Sequence, residues 1–158
     1  MPAMIQTSVS VHVISSLLQD NLVVKTRVFG ESMAPMIKNG DVITIERIDP
    51  QSVRPGDILA CVNSAEILVV HRLIQINSND NGHNIFILKG DTQTCCDAPI
   101  LSSQILGRVT TISKPNSSVG PSLIDITRSP WRQINTMYTY YIRFKRSTLI
   151  KRCLHRNQ

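Results

Sequence analysis

Hydrophobic residues are concentrated in short runs rich in Val, Ile and Leu, a pattern typical of β-strands. Turn sequences such as Lys-Asn-Gly-Asp and Arg-Pro-Gly-Asp separate the runs. No long helical pattern lies between successive runs, so we predict a mainly β fold with a curled antiparallel or barrel-like sheet rather than parallel βαβ units. The predicted strands cover residues 22–29, 42–48, 57–62, 67–76, 85–88 and 106–112.

Helical spacing is found towards the two ends of the chain. Within residues 9–18, apolar side chains recur at the spacing of a short amphipathic helix. Ser129-Pro130-Trp131 is typical of an N-cap followed by proline at the first helical position. Apolar and aromatic residues then recur at near-helical spacing as far as Leu154. The sequence therefore predicts a short N-terminal helix and one or two C-terminal helices.

These patterns divide the chain into four segments. A stretch rich in Ser, Pro and Gly after the last predicted strand has the composition of a linker. The predicted segments are an N-terminal helical segment (1–21), a β-domain (22–112), a linker (113–128) and a C-terminal helical segment (129–158).

The basic charge of the chain lies in the C-terminal segment. Residues 1–127 hold 9 Lys and Arg against 11 Asp and Glu, whereas residues 128–158 hold 8 Lys and Arg and no acid. The C-terminal helical segment is therefore basic as well as amphipathic. Two placements suit it: on an anionic membrane surface, or packed on the β-domain through Trp131, Ile134 and Tyr138 with its charges in water.

Cysteine usage and the chain ends suggest neither a metal site nor export. The four cysteines have no C-x-x-C spacing, so we expect no metal site. Cys61, inside an apolar run, is expected to be a small core residue. The N-terminus has no signal-peptide pattern, and no stretch approaches the roughly 20 apolar residues that span a bilayer. The expected location is cytoplasmic, with peripheral association with a membrane as a further expectation.

One serine lies on a short turn between two predicted strands. The stretch VFGESMAPMIKNGD covers residues 28–41 and contains Ser32. A serine hydroxyl needs an adjacent base to become a good nucleophile. Of the four histidines, His71 lies within an apolar run, where a strand would hold it rigidly as a base requires. The alternative is a strand histidine that merely hydrogen-bonds to a neighbour.

Two carboxylates are candidates for orienting a histidine. Asp91 follows Lys89-Gly90 at the end of a predicted strand, and Asp97 lies in the stretch TQTCCDAPI. A carboxylate can hold the imidazole and stabilise its charged form. The alternative for both is turn and cap chemistry.

Taken together and in order, these motifs resemble the S24/S26 serine peptidases, which include signal peptidases and LexA-type self-cleaving repressors. The resemblance spans residues 22–112. The motifs that carry it are Gly30-Glu31-Ser32-Met33-Ala34-Pro35, Gly40-Asp41, Pro55-Gly56-Asp57, His71-Arg72-Leu73, Lys89-Gly90-Asp91, Asp97 and Leu106-Gly107-Arg108-Val109.

The resemblance implies a sheet of the LexA and signal peptidase type and a serine endopeptidase that needs no cofactor. A histidine at the position of the base is similar to the signal peptidases of the endoplasmic reticulum and of archaea. By this analogy Ser32 is the nucleophile and His71 is the base, with Asp97 as first and Asp91 as second choice for orienting it. Backbone N–H groups of the Ser32 turn would hold the oxyanion. Gly30, Glu31, Met33 and Pro35 are the residues that form this turn around Ser32. The implied substrate is an extended leader or signal peptide.

Three alternatives are considered. LexA-like self-cleavage is disfavoured because a lysine base and an upstream Ala-Gly site are missing. A nucleic-acid partner is disfavoured because so few residues precede the first predicted strand that a DNA-binding domain does not fit. A non-catalytic peptide-binding module is the third possibility, but intact Ser32, His71 and both aspartates argue against it. Signal peptidases of this family usually carry a membrane anchor, but no stretch of this sequence is long and apolar enough to form one. We therefore expect a compact, stand-alone member.

Overall fold

A computed structural model describes residues 11–78, 82–115, 120 and 122–145. The elements in chain order are α1 (Val11–Gln19), β1 (Val24–Arg27), β2 (Val42–Glu46), β3 (Ile58–Val62), β4 (Leu68–Ser78), β5 (Asn84–Lys89), β6 (Ile100–Leu101), a 3-10 turn (Ser102–Gln104), β7 (Ile105–Lys114), β8 (Ser122–Asp125) and α2 (Trp131–Lys145).

The strands form a single antiparallel sheet in the order β1-β2-β7-β3-β4-β5-β6, and β8 pairs with β7. Three irregularities in register, at Thr44/Ile45, Ala60/Cys61 and Leu73/Gln75, interrupt the ladders. Such bulges bend a strand and increase its twist, which lets the sheet curl. The predicted mainly β fold with a curled antiparallel sheet is confirmed.

The two central strands are covered on both faces. Every residue from Ile58 to Cys61 is buried, as is every residue from Leu68 to Ile74. Successive side chains of a strand point to opposite faces, so alternate residues of β3 and β4 enter two separate apolar clusters. This burial fixes both His71 and Arg72, neighbours on β4, in rigid and opposite directions.

The segment 113–128, predicted as a linker, contains the end of β7 and the whole of β8. β7 continues through Lys114, and β8 pairs with it through the Ile112↔Ile124 register. Ile126, just beyond β8, is buried in the core. The polar composition of the segment hid Ile124, which packs against the core, and the buried Ile126. Residues 116–119 and 121 lie outside the described residues.

The C-terminal helix contacts the β-domain through one residue of the predicted face, Tyr138, and through residues outside that face. Trp131 and Ile134 are 37% and 47% exposed, whereas Asn135, Thr139 and Ile142 are buried. Tyr138 lies over the Arg72 guanidinium, so the prediction is wrong for Trp131 and Ile134 only. The helix is rotated so that Asn135, which contacts Arg72, and the apolar Ile142 face the β-domain. Neither described helix is long and apolar enough to cross a membrane. Residues 1–10 and 146–158 of the predicted terminal segments lie outside the described residues.

Candidate active site

Ser32 lies in a loop that is closed at its base and anchored in the core. The Val28 N–H donates to the Asp41 carbonyl at 2.8 Å, and the Gly40 N–H donates to the Val28 carbonyl at 2.8 Å. Met33 and Ile37 are buried within the loop, and the Ile37 N–H donates to the Met33 carbonyl at 3.0 Å. The burial of Met33 beside Ser32 fixes where the serine side chain can lie.

The other predicted turn residues surround Ser32. Gly30 has φ 102, a left-handed conformation that disfavours other residues, and its N–H donates to Asn39 Oδ1 at 3.3 Å. The Glu31 carbonyl accepts from the Ala34 N–H at 3.1 Å, which makes the turn that carries Ser32. Pro35 follows at the exposed side of this turn. Gly30, Glu31, Met33 and Pro35 therefore frame one tight bend around the serine.

His71 contacts Ser32 through one ring nitrogen and Asp97 through the other. Ser32 Oγ lies 3.0 Å from His71 Nε2, and Asp97 Oδ2 lies 2.5 Å from His71 Nδ1. A proton on Nδ1 facing the carboxylate leaves Nε2 free to accept the serine proton. Asp97 is itself held by its N–H, which donates to the Leu88 carbonyl of β5 at 2.9 Å. This geometry suits a serine activated by a histidine base.

The site is mostly shielded from solvent. Ser32 and His71 are only 2% and 1% exposed, whereas the Asp97 side chain is 29% exposed. Electrostatic interactions between buried groups are stronger than those in water. The interaction of Ser32 with His71 is therefore stronger than that of the same groups in water.

Asp91 contacts a different side chain from the one that Asp97 contacts. Its Oδ1 accepts from Arg72 Nε at 2.8 Å and its Oδ2 accepts from Arg72 Nη2 at 2.7 Å. This two-pronged ion pair is buried, with both side chains 1% exposed. The structure thus places Asp97 beside His71, and it places Asp91 beside Arg72.

The loop that carries Asp91 lies directly against the turn of Ser32. The Thr92 N–H donates to the Ser32 carbonyl at 2.9 Å, and Thr92 Oγ1 donates to the same carbonyl at 3.2 Å. A Cβ added to Gly90 would lie 2.9 Å from the Ser32 carbonyl oxygen and 3.0 Å from Ser32 Cβ. Sequence reasoning missed Thr92 and this role of Gly90, and its one signal was the Lys89-Gly90-Asp91 motif.

The Peptidase S24-like family model matches residues 2–96, more than half of the chain. The chain belongs to this family. It is 32% identical over 71 residues to the signal peptidase complex catalytic subunit SEC11C of Homo sapiens, covering 44% of this chain and 37% of that protein. It is 28% identical over 90 residues to signal peptidase I W of Bacillus subtilis (strain 168), covering 56% of this chain and 47% of that protein. The chain spans less than half the length of these relatives.

This result confirms the resemblance to the S24/S26 peptidases. The matched segment of the Peptidase S24-like family contains Ser32, His71 and Asp91. It ends one residue before Asp97, and α2 lies entirely beyond it. The placement of Asp97 and α2 beside the matched residues therefore comes from the structure.

Cys61 is not a second nucleophile of the site. Burial and, to a lesser extent, the negative charge of Asp97 raise the pKa of its thiol to about 12. The thiol therefore stays protonated at neutral pH, and thiolates rather than thiols are the reactive form. Within the described ranges, no group of three or more His, Cys, Asp or Glu side chains could hold a metal ion.

Proposed function

We propose that the protein is a serine endopeptidase of the signal-peptidase-like type, with Ser32 as nucleophile. The observation that carries this proposal is the continuous line of hydrogen bonds from Ser32 Oγ through both ring nitrogens of His71 to Asp97. Nucleophile, base and orienting carboxylate in this geometry recur on unrelated folds that perform acyl transfer. Membership of the Peptidase S24-like family supports the same reaction class.

The proposed reaction begins with attack of Ser32 Oγ on the scissile carbonyl carbon. His71 Nε2 takes the serine proton, and the Asp97 carboxylate stabilises the resulting imidazolium. Backbone N–H groups of the Ser32 turn hold the oxyanion. The C–N bond then breaks, and His71 returns the proton to the leaving amine. Water, activated by the same imidazole, hydrolyses the acyl-serine and restores the Ser32 hydroxyl.

The proposed substrate is an extended peptide that pairs with the outer edge of β1. β1 is the first strand in the sheet order, and in the described part of the chain it pairs with β2 alone. It leads directly into the loop of Ser32, and the exposed apolar residues Leu22, Val23 and Phe29 flank it. Strand addition gives affinity through main-chain hydrogen bonds. Because the curated relatives are signal peptidases, we propose leader or signal peptides as the substrate class.

The test is digestion of a panel of unstructured peptides, including signal-peptide sequences, with the products identified by mass spectrometry. We expect cleavage at defined bonds by the wild type and none by Ser32→Ala. Tight binding of the peptides without cleavage would instead support the non-catalytic module. Fragments of the protein itself, absent in Ser32→Ala, would support LexA-like self-cleavage.

Peripheral association with an anionic membrane surface is a second proposal, favoured by the exposed face of α2. Trp131, Ile134, Met137 and Tyr141 follow helical spacing and are all exposed. The same C-terminal segment carries the basic charge of the chain. An apolar stripe beside basic residues suits the interface of an anionic bilayer.

We expect phosphatidylglycerol vesicles to bind the protein and to shift the fluorescence of Trp131, the one tryptophan of the chain, to shorter wavelength. Met137→Asp should weaken this binding about tenfold, since it places a charge on the stripe. The matched control is Leu123→Asp on β8, because Leu123 is 71% exposed and Met137 72%. Equal loss in both variants would mean that net charge, not the α2 face, controls binding.

Alanine at Gly90 should damage catalysis more than folding. The added Cβ would press on the carbonyl and Cβ of Ser32, and a misplacement of about 1 Å can cost about 100-fold in rate. We expect kcat for peptide cleavage to fall by about that factor. The control is Gly82→Ala, which strains a residue with φ 75 but meets nothing within 4 Å. Equal kcat in the two variants would show that Gly90 does not position the nucleophile.

A further inference from the structure

We propose that α2 is part of the catalytic scaffold and that Asn135 is a positioning residue of the site. The inference rests on the proposed function but concerns a helix beyond the segment that the family model matches. Its starting point is an unusual burial pattern: α2 turns the amide of Asn135 inwards while larger apolar side chains of the same helix stay exposed. A helix that buries polar groups in this way needs partners for them.

The partner of Asn135 is the guanidinium of Arg72. Arg72 is 1% exposed, and its Nη1 donates to Asn135 Oδ1 at 2.8 Å and to the Gly56 carbonyl at 3.2 Å. Its Nε and Nη2 face Asp91, and its carbon Cζ lies 5.3 Å from the ring centroid of Tyr138. α2 therefore supplies both an acceptor and an aromatic face to one buried cation.

Arg72 connects β4, which carries His71, with the loop of Asp91, which contacts Ser32. It follows His71 on β4, so movement of its backbone is transmitted to the base. Its partner Asp91 lies between Gly90 and Thr92, which contact the backbone of Ser32. The guanidinium thus links the strand of the base to the loop that rests on the nucleophile.

The backbone of α2 also packs closely against the sheet. A Cβ on Gly56 would lie 3.3 Å from Thr136 Cα, so glycine allows the helix to come this near. Gly56 is tied to β4, because its N–H donates to the Leu73 carbonyl at 2.8 Å. This close contact places Asn135 within hydrogen-bond distance of Arg72 Nη1. Loss of the Asn135 acceptor would leave Arg72 Nη1 underbonded in a buried site and let Asp91 and its loop shift.

The test compares Asn135→Leu, which removes the acceptor, with Asn135→Asp, which keeps it. The matched control is Thr139→Val, because Thr139 is also buried on α2 but its hydroxyl donates within the helix, to the Asn135 carbonyl at 2.8 Å. We expect Asn135→Leu to lower kcat about 10- to 100-fold with KM changed less than about twofold. Asn135→Asp should recover most of kcat, and Thr139→Val should match the wild type.

A second readout does not depend on turnover. Hydrogen exchange of the Thr92 amide, which donates to the Ser32 carbonyl, should be at least about tenfold faster in Asn135→Leu than in Thr139→Val. Equal kcat and equal Thr92 exchange in these two variants would overturn the role of Asn135 while cleavage by the wild type still stood. If the wild type cleaves no peptide, the proposed function fails, and the exchange rates alone decide whether α2 holds the loop.

Discussion

Alanine at Ser32 is expected to lower kcat for peptide cleavage by at least about 10⁴-fold, and alanine at His71 by a similar factor. In the proposed mechanism, Ser32→Ala removes the atom that would form the acyl bond, and His71→Ala removes the group 3.0 Å away that would take its proton. The measurement is the initial rate on one peptide that the wild type cleaves. Ser32→Ala should stay folded, since the loss of one hydrogen bond costs only about 0.5–1.5 kcal/mol.

The double variant Ser32→Ala/His71→Ala distinguishes a joint mechanism from two separate roles. When two residues act as one catalytic unit, the losses of kcat caused by their substitution do not add up. The double variant should therefore be no slower than the worse single variant. Losses that multiply would show that serine and histidine contribute independently, and the hydrogen bond between them would have no mechanistic meaning.

Asp97→Asn should lower mainly kcat, whereas Asp91→Asn should lower mainly the stability of the fold. Asp97→Asn replaces the carboxylate beside His71 Nδ1, which favours the wrong imidazole tautomer, so kcat should fall by about 10²- to 10⁴-fold with little loss of stability. Asp91→Asn leaves Arg72 buried without its counter-charge, a change that typically costs about 3–5 kcal/mol. The measurements are kcat on one peptide and the free energy of unfolding in urea.

The reverse pattern would contradict the proposed roles. If Asp97→Asn cleaved at the wild-type rate while Asp91→Asn was stable and inactive, Asp91 would be the orienting residue. The two carboxylates differ in exposure, with Asp97 29% and Asp91 1% exposed, so their substitution should also differ in its effect on unfolding.

The strands could be predicted because each is a compact apolar run bounded by turn residues. β4 shows this well, since the run that contains His71 was expected as a strand and forms one. β8 could not be predicted because its four residues have no signal of their own. These residues form a strand because they hydrogen-bond to the C-terminal half of β7.

The sequence predicted the residues of the candidate site, but it did not decide which aspartate lies beside His71. The motifs around Ser32 and His71 pointed to a serine and a base, although 39 residues separate them. Which aspartate meets His71 depends on how the chain after β5 folds back, and the sequence left this choice open. The rotation of α2 depends on Arg72, a buried cation whose need for a polar partner outweighs the apolar pattern of the helix.

The most direct test of the central claim is the mass of the Ser32 peptide during turnover. Wild-type protein is mixed with the ester of a peptide sequence that it cleaves, and the reaction is quenched in acid. The protein is then digested, and the mass of the peptide that contains Ser32 is measured by mass spectrometry. We predict a gain equal to the acyl group of the substrate, and no gain in Ser32→Ala. Turnover that leaves Ser32 unmodified and continues in Ser32→Ala would contradict a serine peptidase at this site.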